Sequence, residues 1–305
     1  NEQSLSLRVQ DLEPKDLKGV YKNIDVDMRQ YKRIKMFIHA ESLPNRTPLP
    51  GDGSLDDLDK SMVAFMRIGT DMTENYYQIE VPLQPTPYTE GVANNLSAEE
   101  VWQPESNSID APLSLFTGAK AKSIQNRSLV GATYFDEDLN QIDEFTPISS
   151  LPGDKKYKIA VRGNPTLGQV RTLMVGVKNP SESPGDYLHG EVWFNELRLA
   201  EIDSEGGWAS VAELDTNIAD FATINLNGNI STVGFGNIDQ IPNLRNQDDT
   251  KGYGMNTNVN VGQLLPKKWG IQLPLSYSFS EEVITPKYDP FYQDLKLQDL
   301  SLIHI

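Results

Sequence analysis

The chain has 305 residues, no cysteine and a formal charge of −16, from 27 Lys and Arg against 43 Asp and Glu. That composition excludes disulfides, thiol chemistry and Cys-based metal centres, and it argues against phosphate backbones and anionic surfaces, so nucleic acid is not an expected partner. Hydrophobic residues at 38%, with 22 Gly and 19 Pro, describe a loop-rich β protein too apolar for wholesale disorder.

The first part reads as alternating strands. The run from Ser4 to Val9 alternates with period two, and the runs from Ile34 to Ala40 and Met62 to Ile68 are β-rich, separated by a Pro/Gly/Asp-rich stretch over 43–59. Residues 75–83 form a further candidate strand, stopped by Pro82, Pro85 and Pro87. Between 97 and 127 the period changes: Ser97 to Glu100 has a capping-box pattern, and Leu113, Phe116, Lys120 and Ile124 mark one face of a modest helix, a helical insertion on a sandwich edge. Strand character resumes over 157–161, 173–177 and 191–199, with turns at Gly163-Asn-Pro165 and Asn179-Pro180. The expected domain is a jelly-roll-like β-sandwich over 1–203, closing near Ala200.

Residues 204–305 have a different texture. Over 222–230 the set Ala222, Ile224, Leu226, Gly228 and Ile230 alternates with Thr223, Asn225, Asn227 and Asn229. Over 253–261 Tyr253, Met255, Thr257, Val259 and Val261 alternate with Gly254, Asn256, Asn258 and Asn260. Over 271–279 Ile271, Leu273, Leu275, Tyr277 and Phe279 alternate with Gln272, Pro274, Ser276 and Ser278. Each segment therefore has one apolar face and one of small uncharged polar residues. No apolar run reaches the roughly 18 residues of a spanning helix, but barrel strands need only about 10 alternating residues. The pattern favours antiparallel strands of an outer-membrane β-barrel, Ile271, Leu273, Leu275, Tyr277 and Phe279 facing lipid and Gln272, Ser276 and Ser278 facing the lumen; a soluble sheet remains the alternative. Trp208, Tyr253 and Trp269 are expected at segment ends as interfacial aromatics. A short turn over 263–268 and a long polar connection over 231–251 would place Pro266 to Lys268 on the periplasmic side. Pro274 sits awkwardly inside a strand because it cannot donate to the ladder.

Candidate chemistry is thin. His39, His189 and His304 have no metal-ligand spacing, and no nucleophile elbow, P-loop or complete dinucleotide fingerprint occurs. No catalytic, metal or cofactor residue is assigned, and the chain is read as a non-enzyme. Asp52, Asp56, Asp57 and Asp59 could supply oxygen ligands to calcium but fit no EF-hand spacing. Asp136, Glu137 and Asp138, adjacent in sequence, point apart and do not form a glycosidase pair. Trp102 and Trp193 could stack on sugar in a lectin-like sandwich, although a buried sandwich Trp is the commoner arrangement.

Several strings resemble one family. They are residues 1–12, Asp27-Met-Arg-Gln-Tyr31, Met36 to Glu41, Arg67 to Asp71 with Asn75-Tyr-Tyr77, and Gly163-Asn-Pro165. Val175 to Pro180, Glu191 to Leu199, Gly206-Gly-Trp208, Ala219-Asp-Phe221 and Leu265-Pro266 ahead of 271–280 continue in the same order. The chain so resembles the SprA (Sov) proteins, the large outer-membrane translocons of type IX secretion and gliding motility in Bacteroidetes. The resemblance implies a protein-conducting pore without catalytic residues, located in the bacterial outer membrane with a periplasmic or cell-surface insertion. Its implied partners are secreted protein cargo, plug and gating subunits, and outer-membrane lipid. It also implies that the chain, which starts at Asn1 without Met, is an internal slice, with residues 301–305 departing from the pattern. The alternative is a soluble secreted carbohydrate-binding or adhesion sandwich.

Overall fold

Strand-forming runs bounded by turns build a mainly β, antiparallel protein, seen in a computed structural model that describes residues 4–41, 62–86, 97, 99, 102–127, 131–204, 206–240 and 244–301. Two compact units result. One comprises residues up to Ile202 together with Tyr292–Leu295, and the other Asp203–Phe291 with residues from Lys296 onward. The Asp52, Asp56, Asp57 and Asp59 loop, Pro87 and His304 lie outside the described residues.

The first unit is two facing sheets. One has the order β1 (Leu5–Leu12), β11 (Leu188–Ile202), β3 (Tyr31–Glu41), β6 (Ser108–Pro112). The other runs β2 (Leu17–Val26), β10 (Val170–Lys178), β4 (Met62–Gly69), β5 (Tyr76–Leu83), β9 (Lys158–Arg162), β7 (Ala132–Phe135), β8 (Gln141–Ile142). Alternation decides what each strand buries. Ile34, Met36, Ile38 and Ala40 of β3 and Val192 and Phe194 of β11 share one core with Met62, Ala64, Met66 and Ile68 of β4 and Tyr77, Ile79, Val81 and Leu83 of β5. Burying each such Ile, Leu, Met or Phe contributes about 1.5–3 kcal/mol.

The expected helical insertion over 97–127 is divided. Ala98, Glu100 and Val101 lie outside the described residues, Glu99 and Trp102 have helical backbone, and residues 108–112 are strand β6. Ile109 and Ala111 alternate inward and complete the sheet beside β3, which overrides helix formation there. Helix α1 is Ser114–Gln125, and its buried stripe is Phe116, Ala119, Lys120 and Ser123 at helical spacing. Leu113 caps its start without a side-chain hydrogen bond.

Lys120 on that buried stripe needs a partner, and Asp294 supplies it. The two side chains are 2% and 0% exposed, with Nζ 2.7 Å from Asp294 Oδ1. Asp294 Oδ2 accepts from Tyr77 Oη at 2.5 Å and from the Leu167 backbone N–H at 3.0 Å, and Lys120 Nζ also donates to the Pro165 carbonyl at 2.7 Å. Burial, reinforced by the Asp294 charge, pushes the Tyr77 hydroxyl well above its ordinary range. A second buried set lies on the opposite side of β5. There Glu80, 1% exposed, pairs with Lys178 at 3.0 Å and Lys158 at 3.4 Å, and Gln78 donates to Glu80 at 2.7 Å. Each charge in both sets has its counter-charge, as burial requires.

The β4–β5 turn is organised by Asp71. Its Oδ1 accepts backbone N–H groups of Thr73, Glu74 and Asn75 at 2.9, 2.6 and 3.1 Å, and Oδ2 accepts Asn75 Nδ2 at 2.8 Å. Burial alone would raise this carboxyl; the four donors outweigh it and hold it well below the usual carboxylate range. A folded value depressed in this way stabilises above the unfolded value, about 3.9, and that stabilisation is lost as pH falls through the folded value.

Two outcomes follow. Removing the Asp294 carboxylate by Asp294→Ala leaves Lys120 buried and unpaired and should cost about 3–5 kcal/mol in denaturant unfolding, whereas Lys120→Met with Asp294→Asn, which removes both charges and keeps an acceptor for Tyr77 and Leu167, should recover much of it. Asp71→Ala should cost about 1–2 kcal/mol at neutral pH and shrink the loss of stability on acidification; an unchanged acid limb would contradict the role given to this carboxylate.

Candidate functional site

The second unit is built from four long strands in sequential order: β12 (Ala209–Ile218), β13 (Ala222–Ser231), β14 (Asp248–Asn260) and β15 (Pro274–Pro286). All three pairings are antiparallel and continuous, with no shift of register. Directly opposite residues of an antiparallel pair share a face, so the register decides whether the separate alternations add up.

They do. One row across the sheet is Ile218, Ala222, Val259 and Leu275; the next is Thr216, Ile224, Thr257 and Tyr277; the third is Leu214, Leu226, Met255 and Phe279. These rows form a single apolar face. The opposite face carries Asn217, Thr223, Asn258 and Ser276 in one row, and Asp215, Asn225, Asn256 and Ser278 in the next. A slip of one residue in any strand would interleave the two faces.

The apolar face is not a core. Leu275, Tyr277 and Phe279 are 59%, 57% and 44% exposed, and Leu214, Ile218, Leu226 and Tyr253 are exposed as well. Its composition changes along the strands. Past the Phe279 row the next holds Ala212, Gly228, Tyr253 and Glu281, and the one after it Ser210, Ile230, Lys251 and Val283, so charge enters this face first at Glu281. Tyr253 donates its hydroxyl to Glu281 and its ring packs on Phe279 at 6.0 Å between centroids. An uncharged apolar zone therefore ends at a tyrosine–carboxylate pair.

The polar face is tied together laterally. Ser276 Oγ donates to Asn258 Oδ1 at 2.7 Å, and Asn225 Nδ2 donates to Asp215 Oδ1. Gly254 lies opposite Asn227 and Gly252 opposite Asn229. A Cβ at either glycine would come within 2.5 or 2.4 Å of the amide oxygen of that asparagine. Glycine on β14 thus leaves room for the Asn side chains of β13 to lie flat across the strand.

Of the residues expected to face lipid, Leu275, Tyr277 and Phe279 occupy the apolar face of β15, while Ile271 and Leu273 precede the strand, 47% and 52% exposed. Ser276 and Ser278 occupy the polar face, and Gln272 lies before the strand. The strand starts at Pro274 because a proline without N–H is tolerated at a first strand position, and it runs on to Pro286. Trp208 and Trp269 lie outside the strands, as expected for end positions, but Tyr253 is inside β14. The turn expected over 263–268 is part of a longer connection, 261–273, containing two short 3-10 turns at Val261–Leu264 and Lys267–Trp269. It leaves the same end of the sheet as the tight connection 219–221, and 232–247 leaves the other.

Other residues singled out in the sequence resolve locally. Asp136 accepts from the Asp138 and Asn140 backbone, Glu137 from the Lys156 and Tyr157 backbone, and Asp138 pairs with Lys155, so the three carboxylates point apart. His189 is buried on β11, its Nδ1 accepting the Asp11 backbone N–H at 3.0 Å. His39 is buried on β3 between Trp102 and Trp193.

Among the described residues no helix is long and apolar enough to cross a membrane, which leaves strand-type crossing untouched. No curated protein matches the chain significantly. The SprA_N family, described as motility related/secretion protein, matches residues 1–300. Spanning nearly the whole length, that match shows that the chain belongs to the SprA_N family of motility-related and secretion proteins.

Proposed function

We propose that β12 to β15 are wall strands of an outer-membrane, protein-conducting translocon of the type IX secretion system, serving secretion and gliding motility. The observation that carries this reading is the exposed apolar face shared in register by four strands, backed by an exposed face of Asn, Ser, Thr and Gly. A contiguous apolar face of this size in water is a liability, whereas in hydrocarbon it is solvated by lipid tails. Membership of a secretion and motility family supplies the biological context.

In this reading the role is passive rather than catalytic. Antiparallel pairing satisfies each interior backbone N–H and C=O laterally, as hydrocarbon demands. The edge strands β12 and β15 need further strands beside them for the same reason, since the four form an open sheet. The row of Tyr253 and Glu281 marks where lipid tails give way to headgroups, the level that aromatic side chains favour. The inner face presents mainly amides and hydroxyls, with the carboxylates of Glu213, Asp215 and Glu282 among them, which hydrates the lumen. Cargo protein, plug and gating subunits and lipid are the partners of such a wall.

Arginine substitutions in the intact protein test it. Tyr277→Arg and Leu275→Arg should each cost about 2–4 kcal/mol near mid-membrane and sharply reduce the heat-modifiable, membrane-assembled form and secretion. Ser276→Arg and Ser278→Arg should leave both near wild type. Equal tolerance on the two faces would reject the wall assignment.

A further inference from the structure

The outward surface of the β1–β11–β3 sheet carries a cluster that neither the sandwich core nor the wall strands explain. Trp193 of β11 is in register with His39 of β3, and Glu191 with Glu41. On the far side, Ser6 and Arg8 of β1 are in register with Trp193 and Glu191. Trp102, distant in sequence, packs on His39 from above. The imidazole centroid lies 5.4 Å from the Trp102 ring and 5.2 Å from the Trp193 ring, tilted by 53° and 60°. The two tryptophans remain partly exposed, and the Glu41 side chain is 46% exposed.

Two features set this cluster apart from ordinary surface decoration. Like charges directly opposite on neighbouring strands are destabilising, yet Glu41 and Glu191 are direct partners. Both carboxylates are also held in fixed orientations. Ser6 Oγ and Trp193 Nε1 donate to the same oxygen of Glu191, Oε1, at 2.6 and 2.7 Å. Glu41 Oε1 shares a hydrogen bond with His39 Nε2 at 2.9 Å. The Ser6 hydroxyl, then the Trp193 indole N–H, hold the Glu191 carboxyl below its usual range, so it stays an acceptor through neutral pH.

We infer that this surface is a carbohydrate-binding site, with Trp102 and Trp193 as apolar platforms and Glu41, Glu191 and Arg8 as hydrogen-bonding partners for sugar hydroxyls. A sugar ring combines C–H faces that pack on indoles with hydroxyls that both donate and accept. The cluster offers that set: carboxylate acceptors and aromatic surface held in place before the ligand arrives, and a guanidinium donor on Arg8, in register with Glu191. A cationic ligand would suit two carboxylates, but Arg8 facing Glu191 opposes it. The inference concerns the sandwich alone and stands whether or not β12 to β15 face lipid.

The experiment titrates the full chain with two glycan probes: soluble disaccharide-repeat fragments of peptidoglycan and lipid-free polysaccharide from lipopolysaccharide. Tryptophan emission and calorimetry report binding. Saturable binding of either probe, weakened at least about tenfold in Trp102→Ala and in Glu191→Gln, supports the site, and the preferred probe identifies the source. Glu191→Gln keeps the side-chain shape and an acceptor for Ser6 and Trp193, so it decides the matter if Trp102→Ala unfolds. Absence of saturable binding to both probes at millimolar concentration, binding unaltered in Glu191→Gln and Glu41→Gln, or a preference for a lysine-rich peptide would each overturn it.

Discussion

A buried or lipid-immersed sheet survives only if its backbone polar groups are paired and its two faces stay separate, and in this protein both conditions rest on register. In β12 to β15 three consecutive pairings run without a bulge, so ten residues of β12 project their alternation onto β13, then β14, then β15. One slipped pairing would place Asn225 or Asn256 among Leu214 and Phe279 and put Leu226 or Met255 among the amides. The glycines opposite Asn227 and Asn229 keep the polar face flat, and Pro274 confines the start of β15 to the one position where its missing N–H costs least. The two unlike faces thus follow from strand pairing and need no contact beyond it.

The sandwich obeys the same alternation with a different outcome, because its second face is also covered. On β5 the inward residues Tyr77, Ile79 and Val81 fill the core, while the outward Gln78 and Glu80 are buried too. Charges on such a strand persist only when paired, hence the Lys178–Glu80–Lys158 set. Asp294 plays the matching part for Lys120 and Tyr77. Replacing such a pair with well-packed apolar groups is frequently harmless, whereas removing one partner is not, so these pairs specify how the segments meet more than they add to stability.

Much of the strand pattern was legible because its signals are local: β1, β13 and β14 lie where the residues alternate with period two, and the core strands β3, β4, β5, β9, β10 and β11 lie where β-rich runs are bounded by turn residues. Failures have physical causes. β12 lacks a clean signal, since Ala209 and Val211 fall on the face shared with Glu213 and Asp215, and only pairing with β13 reveals its faces. Likewise β2 has no assignment from the sequence, since Lys18, Lys22 and Asp25 lie on an exposed edge strand. In the 97–127 stretch a helical pattern hid β6, because five residues with two inward side chains give too little periodicity to compete with flanking helical signals. The Lys120–Asp294 pair, 174 residues apart, and the approach of Trp102 to Trp193 across His39 depend on tertiary placement that no local pattern encodes. On β15, Leu275, Tyr277 and Phe279 share one face and Ser276 and Ser278 the other, as the alternation indicates, but the strand begins three residues later than the alternation does.

The lipid-facing assignment is tested most directly by single-cysteine scanning from 275 to 280 in the assembled protein, an approach helped by the absence of cysteine from these 305 residues. The account predicts a period of two: positions 275, 277 and 279 shielded from a water-soluble maleimide and accessible to a lipid-phase quencher, and positions 276, 278 and 280 the reverse. Uniform aqueous labelling at all six positions would contradict it.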